Sequence, residues 1–289
     1  MLSARFGEYT LYALEGDQFM LDGGAMFGVV PKPLWSRKIP ADEQNRIAMC
    51  ARLLLIHSHK TDRLYLIDTG MGTKFNAKLA EIYNLRQPSG TLQEQILKAG
   101  FSMNQVTDVI FTHLHFDHCG GASVWKDEKT SDILFPEANL WVTRSHWNTA
   151  IQPNMREKAS FLRENLDPIA RHPRLILTDG AHVFEDDFYT MVVNGHTTGM
   201  QLPVLEDGSR KLVYAADLLP THAHAPVPWI MGYDMFPLIS MEERNRLFAR
   251  AVSESWLLFL EHDPTHQIIQ LEHDGKNFSM AASLKLDEL

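Results

Sequence analysis

Four side chains able to bind a metal stand within six residues in the stretch Thr112-His113-Leu114-His115-Phe116-Asp117-His118-Cys119-Gly120-Gly121. Imidazole nitrogens and carboxylate oxygens are the ligands that zinc and its neighbours take. His113 and His115 are two residues apart, so in an extended turn their rings point the same way. Asp117 and His118 are adjacent and can serve a second ion. Gly120 and Gly121 let the chain turn sharply and pack closely beside these side chains. Cys119 reads as a small residue packed in that turn, with a nucleophilic thiol as the alternative. No Gly-x-Ser-x-Gly elbow occurs, and divalent ions held by side chains of these types can activate water.

The elements that must position these groups follow from the hydrophobic pattern. Residues 106–111 are a short apolar strand that ends where the motif begins, and a strand end is a rigid support for a ligand. Upstream, strands are expected at 9–14, 47–58 and 63–68, the last two joined by the turn His59-Lys60-Thr61-Asp62. Residues 22–40, rich in Gly and Pro, read as a long loop. Helices are expected at 73–84, 91–99 and 241–253, with a long polar helix at 154–165. Further strands are expected near 139–143, 174–178, 188–194, 211–216 and 256–261. Mixed strands and helices without strict alternation indicate layered α/β or α+β architecture, and no linker divides the chain, so 1–289 is read as one domain.

Composition excludes several classes. The chain has 289 residues, 45% of them hydrophobic, and a net charge of −9, which argues against nucleic acid or an anionic membrane as partner. Two cysteines, Cys50 and Cys119, rule out a disulfide framework and a four-cysteine zinc site. No apolar stretch reaches the roughly 18 residues of a membrane span, and no signal-type run stands near Met1, so a cytoplasmic protein is expected. Fourteen histidines are many, but only their position gives them meaning.

The segment Thr112–Gly121 resembles the signature of the metallo-β-lactamase superfamily. Asn194-Gly195-His196-Thr197-Thr198-Gly199 is similar to that family's Gly-His motif. Val213 to Asp217 is an apolar strand ending in Asp, Leu258 to His262 a strand ending in His, and Leu66-Ile67-Asp68-Thr69-Gly70 matches the family's Asp-Thr-Gly turn. The resemblance runs from about residue 50 to 263 and implies an α+β fold, the four-layer αββα sandwich. It implies that His113, His115 and His196 hold one ion, that Asp117, His118 and His262 hold a second, and that Asp217 bridges them. Zinc is expected, with manganese, iron or cobalt as alternatives. Asp68 is expected to brace the ligand loop or to cap its turn.

Water shared by two ions about 3.5–4 Å apart is acidified and can attack carbon or phosphorus. His115 stands where iron-dependent redox relatives carry Glu. Asp217 stands where one class of zinc β-lactamases carries Cys. Only 27 residues follow His262, too few for the helical domain of glyoxalase II. The remaining branch holds N-acyl homoserine lactonases and methyl parathion hydrolases. It implies hydrolysis of a small-molecule lactone, ester or phosphotriester. A thioesterase, a phosphodiesterase and a non-catalytic binding protein are the alternatives. Oligomeric state is left open between monomer and homodimer.

In the lactonases a Tyr follows the bridging Asp by three residues, and here that position is Pro220. Residues 218–234, stiffened by Pro220, Pro226 and Pro228, are expected to form one wall of the pocket, with His222 or Tyr233 replacing that Tyr as catalytic hydrogen-bond donor. Met26, Phe27, Val29 and Trp35 of the 22–40 segment are expected to supply an apolar wall near the active site.

Overall fold

In the strand at 46–58, successive side chains enter two different cores. Leu54 and Ile56 pack with the second sheet, whereas Leu53 and Leu55 pack with helices on the opposite face. Side chains of a strand alternate between faces, so a continuous apolar run marks a strand covered on both sides. The computed structural model describes residues 2–289. In chain order its strands are β1 (Leu2–Phe6), β2 (Tyr9–Asp22), β3 (Arg46–Ser58), β4 (Leu64–Ile67), β5 (Asp108–Ile110), β6 (Ser123–Trp125), β7 (Ser131–Ile133) and β8 (Asn139–Thr143). They continue as β9 (Leu175–Thr178), β10 (Val183–Glu185), β11 (Phe188–Val193), β12 (Met200–Asp207), β13 (Arg210–Tyr214), β14 (Leu257–Phe259), β15 (Ile268–His273) and β16 (Phe278–Leu284). The helices are α1 (Gly23–Phe27), α2 (Lys32–Trp35), α3 (Ala77–Ile82), α4 (Leu92–Lys98), α5 (Phe116–Cys119), α6 (Arg144–Ile151), α7 (Arg163–Arg171) and α8 (Pro237–Ser253).

Two seven-stranded sheets result, ordered β1-β2-β3-β4-β5-β8-β9 and β10-β11-β12-β13-β14-β15-β16. The first is antiparallel as far as β4, and β4, β5, β8 and β9 then run parallel. In the second, β13 and β14 are parallel, and α8 makes the crossover between them. The inner faces meet in one large core that holds Leu54, Ile56, Ile67 and Ile110 together with Val204, Val213 and Ile269. Ile96 of α4, Ala150 of α6 and Leu166 and Ile169 of α7 cover the outer face of the first sheet. Leu247, Phe248 and Ala251 of α8 pack against strands of the second. This is the αββα sandwich. Among the described residues no helix is long and apolar enough to cross a membrane.

Several local expectations are corrected. The 22–40 segment is not an uninterrupted loop, because β2 continues to Asp22 and two short helices follow. The Asp22 carboxylate caps the first by accepting from Ala25 N at 2.8 Å, and a proline in the first turn opens the second. No long helix occupies 154–165. Asn154 Oδ1 instead accepts from the amides of Arg156 and Glu157, closing a turn that sends Glu157 inward, and the helix starts at Arg163. The helix expected at 73–84 shrinks to Ala77–Ile82, behind an Asn76 cap. β12, with Pro203 in its middle, and the C-terminal pair β15 and β16 were not expected.

Candidate metal centre

The motif after β5 is held by the Asp68 turn. Asp68 adopts a left-handed φ of 54°, and its buried carboxylate accepts from Thr112 N at 2.7 Å and Thr112 Oγ1 at 2.6 Å. Its Oδ2 also lies 3.0 Å from His118 Nδ1, so Asp68 braces the motif as well as shaping its own turn. Gly121 packs directly on that turn. A Cβ there would sit 2.0 Å from Thr69 O, which leaves glycine as the residue that fits. His196 follows β11, and the amides of Asn194 and Gly195 donate to the Glu243 carboxylate of α8 at 2.7 and 2.9 Å. Asp217 sits in a tight turn after β13, where Ala216 takes a φ of 42°. His262 follows β14 and pairs its backbone with β3 through Cys50 N, at 3.3 Å.

These four segments bring seven side chains into two groups. In the first, His113 Nε2 and His196 Nε2 lie 3.0 and 3.2 Å from His115 Nδ1. Asp217 Oδ2 lies 3.1 Å from His196 Nε2 and 3.9 Å from His113 Nε2. In the second, His118 Nε2 and His262 Nε2 are 3.1 Å apart, and Asp117 oxygens lie 3.9 and 3.8 Å from them. Asp217 Oδ1 faces this second group, 3.0 Å from His262 Nε2 and 3.6 Å from His118 Nε2. Asp217 therefore presents one oxygen to each group.

The donor set fits cations. The outward nitrogens of these rings already have partners: His115 Nε2 meets Glu157 Oε1 at 3.2 Å, His196 Nδ1 meets Asp234 Oδ1 at 2.9 Å, and His262 Nδ1 meets Cys50 O at 2.8 Å. A neutral imidazole that donates on one side offers a lone pair on the other. Where the rings are neutral their inward nitrogens face one another as lone pairs, and either protons or a cation must lie among them. Two ligands of one tetrahedral zinc stand roughly 3.3 Å apart, near the spacing seen here. Asp217 Oδ1 is also buried with no partner in hydrogen-bond geometry, although His262 is close enough to count as an ion pair.

Electrostatics divides the rings. Burial and the neighbouring imidazoles hold His113 well below the usual histidine range, and burial lowers His115. At His118 burial is outweighed by Glu261, Asp117 and Asp217, which raise it well above that range. His262 is pushed up to about 9, against burial, by Asp217 and Glu261. Burial opposes ionisation of Asp217, but His196, His262 and His118 overcome it and keep its carboxyl well below the usual range.

The centre floors a cavity of about 150 Å³. Leu21, Met26, Met49, Phe116 and Met231 make its apolar wall, and Tyr83 and Tyr233 add two phenols. No Lys or Arg lines it among the described residues. Tyr233 thus reaches the cavity and His222 does not. His222 Nδ1 is held by Asp263 Oδ2 at 2.6 Å, and its ring packs against His266 at 4.5 Å. Of the N-terminal residues Met26 lines the cavity, Phe27 and Trp35 are buried behind it, and Val29 is exposed. Cys119 is buried, donates to Leu114 O at 3.3 Å, and burial pushes its thiol up to about 12.

Sequence reasoning gave no role to Glu157, Asp234 and Glu261, although all three touch ligand rings. Glu261 stands next to His262, and that adjacency was the one available signal. Glu157 and Asp234 come from segments that carry no ligand.

The family model described as "Metallo-beta-lactamase superfamily" matches residues 54–262. A probable metallo-hydrolase of Mycobacterium tuberculosis is 28% identical over 291 residues, an alignment that covers 89% of this chain and 87% of that protein. Among solved structures, a probable metal-dependent hydrolase from Staphylococcus aureus superposes with a TM-score of 0.86 at 26% identity, covering 97% of this chain and 98% of the other. The dizinc quorum-quenching lactonase AidC superposes with a TM-score of 0.81 at 22% identity, covering 98% and 97%, a likeness of fold alone. The match over 54–262, which contains every segment of the centre, means that the chain belongs to the metallo-beta-lactamase superfamily.

Proposed function

We propose that this protein is a dinuclear metal-dependent hydrolase of small, uncharged lactones, esters or phosphotriesters. The observation that carries the reading is Asp217, with Oδ2 toward one imidazole group and Oδ1 toward the other. His113, His115 and His196 would hold one ion, Asp117, His118 and His262 the other, and Asp217 both. Zinc suits this set of imidazoles and carboxylates, and manganese, iron or cobalt share its ligand types. When bound, such ions supply Lewis acidity and water acidified toward neutral pH.

The chain's own residues do the rest. Leu21, Met26, Met49 and Met231 exclude water and receive an apolar substituent. Burial pushes the Tyr233 phenol up to about 12, so it keeps its proton at neutral pH. It can then donate a hydrogen bond to a substrate oxygen as charge develops there. The lack of a cationic lining side chain favours uncharged substrates over anionic phosphodiesters. The placement of Cys119, buried with its thiol protonated, supports direct attack by water over a covalent route.

Two measurements test this. Elemental analysis of protein purified without chelator is expected to give two ions per chain. A panel of chromogenic substrates is expected to show turnover of a carboxylic ester or a phosphotriester and far slower turnover of a phosphodiester. A folded sample that never holds more than one ion, or that prefers the phosphodiester, overturns the reading.

A further inference from the structure

Two buried arginines each grip a loop that begins at the centre. Arg52 of β3 donates through Nη1 to Leu260 O, Asp263 O and His266 O, and its Nε pairs with Glu15 at 2.9 Å. Arg244 of α8 is fully buried, and among the described residues no carboxylate is hydrogen-bonded to it. Its Nε donates to Leu218 O at 2.7 Å, and its Nη1 to Trp229 O at 2.8 Å and His224 O at 3.4 Å, while Nη2 has no partner. A buried cation is costly, and an apolar side chain of similar volume usually serves packing as well or better. What Arg244 offers instead is a planar fork that ties both ends of the 218–229 span together, starting at the residue after Asp217.

That span in turn carries the N-terminal segment. His224 Nε2 lies 2.9 Å from Met26 O, and its ring stacks on Phe27 with centroids 4.4 Å apart and planes 3° from parallel. Gly232 N donates to Ala25 O at 2.8 Å. Met26 and Met231, which sit on the two joined segments, both line the cavity. One side chain on α8 thus reaches the apolar wall through a continuous set of bonds.

We propose that Arg244 is a positioning residue that sets the Met26 and Met231 wall and so gives the cavity its preference for a substrate with an apolar tail. The proposal rests on the apolar-wall reading of the cavity given above.

The test is calorimetric binding of hexanoate and acetate to metal-loaded protein, which needs no turnover. The parent is expected to bind hexanoate more tightly than acetate. Arg244→Met is expected to keep its metal and to weaken hexanoate about tenfold, roughly the loss of two buried methylenes, while acetate changes less than twofold. Arg244→Lys, which keeps the charge but not the fork, is expected to fall between. His224→Gln breaks the next link and is expected to act in the same direction, and it carries the test if Arg244→Met does not fold. Equal weakening of both acids, unchanged hexanoate binding in folded variants, or a parent without preference for hexanoate overturns the proposal. A parent that prefers hexanoate yet hydrolyses no lactone, carboxylic ester or phosphotriester overturns the hydrolase reading and leaves the wall assignment standing.

Discussion

Among the described residues Asp217 is the one carboxylate that faces both imidazole groups, and it is buried with ionisation favoured by His196, His262 and His118. Replacing it with Asn keeps the shape and removes the negative charge between the two ligand groups. Asp217→Asn is expected to lower bound metal from two ions toward one and to abolish most hydrolysis, read by elemental analysis and initial rates. Tyr233 lines the same cavity without belonging to either group. Tyr233→Phe is expected to keep both ions and lose roughly a hundredfold in kcat/KM, the low end for assistance by a positioned proton donor. A variant at the parental rate would mean that the substrate oxygen is stabilised without the phenol.

At the scale of elements, each ligand stands three to eight residues beyond the end of a strand, and the loop that follows must be tied down. For the loop after β14 the tie is Arg52, which spans three carbonyls on both sides of His262. An ammonium cannot reproduce that planar geometry. Arg52→Lys is therefore expected to fold yet to hold fewer ions, because His262 loses its fixed position. Circular dichroism and elemental analysis on the same sample check this. Undiminished metal content would place the support of His262 in its backbone pairing with Cys50 alone.

At the scale of the whole molecule, two histidines outside the ligand set are buried and neutral. Burial lowers His146 and His224 to about 3. The unfolded chain protonates histidine near 6.5, so between pH 6.5 and 3 the unfolded state binds more protons than the folded one. Stability contributed by these groups is intact above pH 6.5 and is lost as pH falls, by about 1.4 kcal/mol per pH unit for each. His224→Gln removes one such group. Relative to the parent at equal metal content, its urea-unfolding free energy is expected to fall less steeply between pH 6.5 and 5, by about 2 kcal/mol over that interval. Parallel pH profiles would mean that His224 is not held neutral in the folded protein.

The sequence by itself determined the parts of this protein that local chemistry writes. The 113–118 cluster of metal-competent side chains was legible locally, and His196, Asp217 and His262 became candidates only through their order in the resemblance to the family, each after an apolar strand. Layered α/β or α+β architecture was legible from the mixed strands and helices, and the αββα order only through the resemblance to the family. Tertiary structure decided what depends on distant partners. Glu157 meets His115 across 42 residues, Asp234 meets His196 across 38, and no local pattern encodes either. β12 was hidden by Pro203, which lowers strand propensity but is accommodated opposite Thr190. His222 and Tyr233 looked equivalent in one proline-rich segment. Asp263 draws the imidazole away, and the phenol is left on the cavity. That choice between two side chains of one loop is made by which of them finds a buried partner, and only the packed chain supplies the partner.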